Sequence, residues 1–90
     1  MKRSRQEIIS QILEICMDGA SKTKIVYQAN LNFKTVNPYL DILTKKGLIK
    51  VNEGCKILYE TTPKGITLQE GIKRIQDELL ESNLSSVKKG

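Results

Sequence analysis

The sequence predicts a mainly helical α+β fold: three short helices, a small β-hairpin and a longer helix at the C-terminal end. Three observations carry that expectation. Ser21 to Gly47 reads as two short helices joined by a tight turn. Two runs of branched and aromatic residues flank the turn-forming triplet Asn52-Glu53-Gly54. Leu68, Ile72, Ile75 and Leu79 recur at alternating spacings of four and three, the seam of a coiled coil.

The totals bound what such a fold can do. Ninety residues make one small domain, and a chain of that size often has its core completed by a partner subunit. The net charge of +5 and a pI near 9.3 have the sign expected for contact with phosphates. Cys16 and Cys55 lie far apart and there is no histidine, which disfavours both a disulfide framework and a common zinc site. Reduced thiols, a cytoplasmic protein, no metal and no cofactor are expected. No apolar run approaches the roughly 18 residues that span a bilayer, so no membrane association is expected.

Taken in order, Ser4-Arg5-Gln6-Glu7 places a hydroxyl three residues before a carboxylate, the pattern of a capping box. A first helix follows, with Ile8, Ile12 and Ile15 beside Ile9, Leu13 and Cys16 as its apolar stripe, and Asp18-Gly19 as its stop. Lys2, Arg3 and Arg5 form a basic arm that either tracks a nucleic-acid backbone or is simply solvated. Ser21 caps a second helix running to about Ala29, with Ile25, Val26 and Ala29 inward, and Asn30 tolerates the left-handed conformation that ends it. Asn32 is itself a good N-cap, so the third helix follows after a very short turn. There Val36, Leu40 and Leu43 face inward, while Lys34, Asn37, Asp41 and Lys45 fall on the opposite side. Pro38 either kinks this helix or marks a loose first turn that re-caps at Thr35. Gly47 closes it.

Leu48 to Val51 and Cys55 to Thr61 then pair as a hairpin, with Ile57, Tyr59 and Thr61 on one face of the second strand and Lys56, Leu58 and Glu60 on the other. Thr62-Pro63 starts the last helix with a cap and a proline at the first helical position, and the helix runs to about Asn83. Its seam of Leu68, Ile72, Ile75 and Leu79 reads as a homodimer strut that also leans on its own domain; the alternative is a stripe that packs only on that domain, as a fourth core helix. The organisation is therefore residues 1-62 as a binding domain with a basic arm, 63-83 as a dimerisation helix and 84-90 as a disordered tail.

Two helices joined by a tight turn, the second presenting basic and amide side chains outward, form the layout of a helix-turn-helix, which points to double-stranded DNA as partner. Lys34, Thr35 and Asn37 are the candidates for the major groove: lysine for phosphate or guanine, asparagine for adenine, threonine for either phosphate or base. Asn32 opens that helix and belongs to the same candidate surface. Lys22 and Lys24 suit a phosphate clamp at the start of the second helix, and Lys50 and Lys56 on the hairpin can reach the flanking backbone. Asp41 either pairs with Lys45 one turn on or accepts from a cytosine amine. Tyr27, Tyr39 and Tyr59 fall at periodic core-edge positions and Phe33 opens the third helix, so the aromatics read as packing rather than a base-stacking platform. With no histidine, phosphate loop or carboxylate pair, neither a catalytic constellation nor a small-molecule ligand is expected, and an enzyme is disfavoured.

The element order, with GASKTKIVYQANLNFKTVNPYLDILTKKGLIKV and the later TTPKG, resembles the archaeal winged-helix DNA-binding proteins of the ten-kilodalton chromatin type and related transcriptional regulators. The match covers roughly Ile8 to Leu80, and its most specific part is the ANLNF-KTV-YLDILTKKGLI series. The resemblance implies a winged helix-turn-helix that dimerises through a C-terminal antiparallel coiled coil, with Lys34, Thr35 and Asn37 on the recognition helix and Lys56 on the wing. Pro38 departs from the pattern, standing where a polar or basic residue ordinarily adds to the reading face. The function expected is a homodimeric transcriptional regulator. The alternatives are a weakly specific architectural chromatin protein and a winged helix used as a protein-protein interaction module.

Overall fold

The computed structural model describes the backbone of residues 3–89 and the side chains of residues 3–75, 77 and 78. The first helix, α1 (Arg5–Ile15), begins with the expected capping box: Ser4 Oγ accepts from the Glu7 amide at 3.1 Å, and the Ser4 amide donates to Glu7 Oε1 at 3.0 Å. One turn of 3₁₀ helix, Cys16–Asp18, carries the chain to Gly19, whose φ of +86° admits glycine readily. Ser21 caps α2 (Lys22–Ala29) through the Lys24 amide, and Asn30 ends it in the left-handed region at φ 55°, ψ 49°.

Asn32 caps α3 (Phe33–Lys45), accepting from the Thr35 amide at 2.8 Å. The helix is continuous through Pro38, with no second cap at Thr35. A proline in a helix interior removes a hydrogen bond to the carbonyl four residues back and costs about 3 kcal/mol where nothing compensates. Lys34 and Pro38 are both exposed, so water can serve the Lys34 carbonyl.

Helices α1, α2 and α3 close on a core in which Ile12, Leu13, Cys16, Ile25 and Val36 are fully enclosed, joined by Leu40, Leu43 and Ile49 at 2% exposure each. The hairpin consists of β1 (Ile49–Glu53) and β2 (Ile57–Thr61), antiparallel in a register from Ile49↔Thr61 to Glu53↔Ile57. Its turn lies further along the chain than the sequence suggested. Asn52 and Glu53 belong to β1, whereas Cys55 and Lys56 sit in the turn, where the Gly54 amide donates to the Lys56 carbonyl. Asn52 is held in the strand by its side chain, which donates to Glu60 Oε1 on β2 at 2.7 Å. Ala20 adds a one-residue third strand, exchanging backbone hydrogen bonds with Tyr59 at 2.9 and 2.8 Å. That bridge ties the hairpin to the loop entering α2.

The last helix, α4 (Pro63–Lys89), starts at the expected cap, with the Gly65 amide donating to Thr62 Oγ1 at 3.1 Å. It does not stop near Asn83. The span read as a disordered tail is helical as far as Lys89, and Gly90 lies outside the described residues. No glycine or proline interrupts the sequence from Ile72 to Lys89, and Leu80, Leu84 and Val87 keep a helical spacing, so nothing local ends the helix earlier.

TTPKG explains how α4 is seated. Thr61, 4% exposed, donates from Oγ1 to the Leu13 carbonyl of α1 at 2.6 Å. Thr62 donates from its hydroxyl to the Gly47 carbonyl at 2.6 Å and from its amide to the Leu48 carbonyl at 3.0 Å. Lys64 Nζ reaches the Lys46 carbonyl at the negative end of α3, at 3.0 Å. Gly65 lies so close to the Leu48 carbonyl oxygen that no side chain fits there. Further along, α4 rests on α1, where Lys73 and Glu14 pair at 3.6 Å.

Candidate nucleic-acid interface

At roughly 100° per residue, the buried stripe of α3 leaves Lys34, Pro38, Asp41 and Lys45 pointing most directly away from the core, with Asn37 on one flank. Lys34 and Asn37 are exposed, and Thr35 is half-buried. Asn32 belongs to this end of the helix, but its carbonyl oxygen is occupied by the Thr35 amide, which makes it a cap first. Asp41 is exposed and is not paired with Lys45: the ion pairs among the described residues are Lys50–Glu60 and Lys73–Glu14. Its charge therefore stands free on the outward side of α3.

The other expected basic residues fall around this face. Lys24 is exposed and Lys22 half-buried in the first turn of α2, where Ser21 already satisfies the Lys24 amide. Lys50 is engaged across the hairpin by Glu60 at 3.8 Å, a surface pair of little strength, while Lys56 is exposed at the wing tip rather than on a strand face. The basic arm is corrected in part. Lys2 lies outside the described residues, and Arg3 is a structural clamp: it donates to Gln11 Oε1 and the Ala29 carbonyl at 2.6 Å each, and to the Asn30 carbonyl at 3.2 Å. These are the orphan carbonyls at the end of α2, and a guanidinium is well matched to them.

Two aromatic side chains are placed differently from the core-edge reading. Tyr39 and Tyr59 pack against the core, but Tyr27 is 85% exposed and Phe33 46% exposed. Residue spacing could not reveal this, because a lone aromatic at a helix end is buried or bared by whatever neighbour approaches it. An apolar groove of about 430 Å³ runs between α1 and α3, lined by Ile9, Pro38, Tyr39 and Ile42 with Arg5 on it. The outward side of α3 thus carries charges of both signs, with an apolar groove along its α1 flank.

On α4 the expected seam divides. Ile72 is only 7% exposed and is enclosed by its own chain, together with Gln69 and Gly65. Leu68 at 40% and Ile75 at 51% exposure face outward on one side, seven residues apart. The side chain of Leu79 lies outside the described residues. Beside Leu68, the three lysines Lys45, Lys46 and Lys64 surround a shallow groove of about 730 Å³.

Burial pushes the Cys16 thiol up to about 12, with Lys24 opposing weakly, so it is an inert core residue; Cys55 is exposed. The hydrogen bonds from the Ser4 amide and hydroxyl hold the Glu7 carboxyl below its ordinary value. Among the described residues, no group of three or more His, Cys, Asp and Glu could hold a metal ion, and no helix is long and apolar enough to cross a membrane.

A family model described as winged helix-turn-helix matches residues 2–80. Among curated relatives, uncharacterized protein MJ0287 of Methanocaldococcus jannaschii is 39% identical over 72 residues, covering 79% of this chain and 71% of that protein. Uncharacterized protein MJ0290 of the same organism is 37% identical over 76 residues, 83% of this chain but 35% of its own length. Among solved structures, Sso10a-2, a DNA-binding protein from Sulfolobus solfataricus, superposes with a TM-score of 0.80 at 32% identity, covering 97% of this chain and 90% of that one. BpsR of Bordetella bronchiseptica, whose DNA binding is regulated by 6-hydroxynicotinic acid, shares the fold at 21% identity and a TM-score of 0.70, over 90% of this chain and 60% of its own.

Proposed function

Since the chain belongs to the winged helix-turn-helix family, we propose that it is a homodimeric DNA-binding protein that inserts α3 into the major groove of duplex DNA and regulates transcription. The observation that carries this reading is the bare outward side of α3, where Lys34 and Asn37 are exposed at the end nearest the Asn32 cap. The N-terminal turns of such a helix reach base edges while flanking lysines meet phosphates. Lys24 on α2 and Lys56 at the wing tip supply cations on neighbouring elements. The DNA-binding description of Sso10a-2 supports the same reading.

The homodimer is part of the proposal. Leu68 and Ile75 form an exposed apolar pair on α4 that a second copy would cover, and Ile72 stays within its own chain. Glutamate at both positions leaves the fold intact and gives a monomer by light scattering.

A titration on random duplex at two salt concentrations tests the DNA reading. Binding weakens steeply with salt, and Lys34→Ala lowers the slope of log K against log salt by about one. A regulator prefers its own site by several kcal/mol, whereas an architectural chromatin protein barely distinguishes sequences. The protein-interaction reading draws on the apolar groove of Ile9, Pro38, Tyr39 and Ile42 and on the unpaired Asp41. It requires that no duplex binds even at low salt.

A further inference from the structure

Phe33 is the chain's one phenylalanine, and it does not serve the core. The half-buried residues that pack against the core cluster are Ile9, Ile15, Val26, Leu31, Tyr39 and Tyr59. Phe33 remains 46% exposed at the first position of α3, immediately after the Asn32 cap and before the exposed Lys34. Leaving nearly half of a phenylalanine's surface in water at the tip of a helix forgoes part of the stabilisation that its full burial would give. Val36, Leu40 and Leu43 already fill the inward side of this helix.

We propose that Phe33 is a specificity-determining residue that reads thymine through its C5-methyl group in the major groove, an inference that rests on the DNA-binding reading above. A phenyl ring has no donor or acceptor, so it gains nothing from the polar edges of guanine, cytosine or adenine. The thymine methyl is the one apolar group that the four bases present in the major groove. Phe33 stands at the end of the helix that enters the groove first. Lys34 and Asn37, one and four residues on, are placed to hold phosphate or base edges around it. Covering both the ring and the methyl removes apolar surface on each side, which favours dA·dT steps without a direct hydrogen bond from Phe33.

The test uses the full chain and pairs of duplexes that differ only in that methyl. Alternating dA·dT and dA·dU duplexes are titrated at low salt by fluorescence anisotropy. The unaltered protein binds the uracil duplex about threefold to fourfold more weakly per methyl contacted. Adding the same methyl to an alternating dG·dC duplex, as 5-methylcytosine, tightens binding. Phe33→Ala loses both preferences while keeping the salt dependence supplied by Lys34, and Phe33→Leu, which restores an apolar tip, retains them in part. Far-ultraviolet circular dichroism checks that both variants fold. Equal affinity of the unaltered protein for thymine and uracil duplexes overturns the proposal, as does a preference that survives in Phe33→Ala. Failure to bind any duplex overturns the DNA reading itself, and this inference with it, and is told apart from the other outcomes by the absence of any titration.

Discussion

The same substitution at two glycines of α4 should act with opposite sign. At Gly65 an added Cβ would meet the Thr61 Cγ2 at 2.7 Å and the Leu48 carbonyl carbon at 3.1 Å, with the Leu48 oxygen closer still. That oxygen cannot swing away cheaply, because it accepts the Thr62 amide at 3.0 Å. Overpacking of this kind costs about 1–3 kcal/mol, and loss of the Thr62 hydrogen bond adds about 1 kcal/mol. Alanine returns about 1 kcal/mol through its better helix propensity. The overlap is with backbone rather than with a flexible side chain, which places the first figure near its upper end. Gly65→Ala should therefore destabilise by about 2–3 kcal/mol, lowering Tm by roughly 10–20 °C at the sensitivity of a domain this size.

Gly71 has nothing within 4 Å of the position its Cβ would take. There only the helix propensity acts, and Gly71→Ala should stabilise by about 0.5–1 kcal/mol. Urea unfolding followed by circular dichroism compares the two with the unaltered chain. Protein concentration is matched and varied in parallel, since dimerisation would make stability concentration-dependent. If Gly65→Ala proves as stable as the unaltered protein, α4 is not seated on the Leu48 carbonyl as described, and the account of TTPKG fails.

Thr61→Val keeps the shape but leaves the Leu13 carbonyl without its hydroxyl partner in a buried setting; a loss of about 1–3 kcal/mol in the same assay is expected. A thiol reagent at pH 8 should label Cys55 alone in the folded protein and both cysteines in denaturant. The raised Cys16 value also has a sign: the folded state keeps a proton that the unfolded state loses from about pH 9, so stability is unaffected below that and falls as pH rises toward about 12. A Cys16→Ala variant should show a weaker decline over that alkaline window.

What the sequence disclosed follows the range of the forces involved. Each cap, Ser4 with Glu7, Ser21, Asn32 and Thr62 before Pro63, is a contact within three residues and was readable from residue type alone. The inward stripe of Val36, Leu40 and Leu43 was equally plain, being set by helical period. Pro38 left two geometries open, because its effect depends on whether its side of the helix meets water. The bridge at Ala20 involves one residue and has no alternation to detect. The spacing of the α4 seam suits both a partner and its own domain, and it does not say which residue serves which; Ile72 turns inward on the same side as the close approach at Gly65, while Leu68 and Ile75 stay exposed. Arg3 looked like part of a free arm; only the distance between α1 and the end of α2, fixed by packing, shows it to be a clamp.

These contacts bear on how a dimer would address DNA. The start of α4 is tied to the C-terminal end of α3 by Thr62 and Lys64 and to α1 by Thr61, while the exposed Lys73–Glu14 pair further along adds little. No flexible linker separates the helix proposed to read the groove from the helix proposed to pair with a second copy: α3 ends at Lys45 and α4 begins at Pro63, with only the hairpin between them. A rigid joint of this kind makes the separation of two α3 helices a property of the α4 pairing, so half-site spacing would be set geometrically rather than by adjustment. Lengthening the segment between Thr62 and Pro63 by glycines would then broaden the tolerated spacings while leaving the affinity of one domain for one site unchanged. If an unaltered dimer already tolerates all spacings equally, the joint is not what sets the distance.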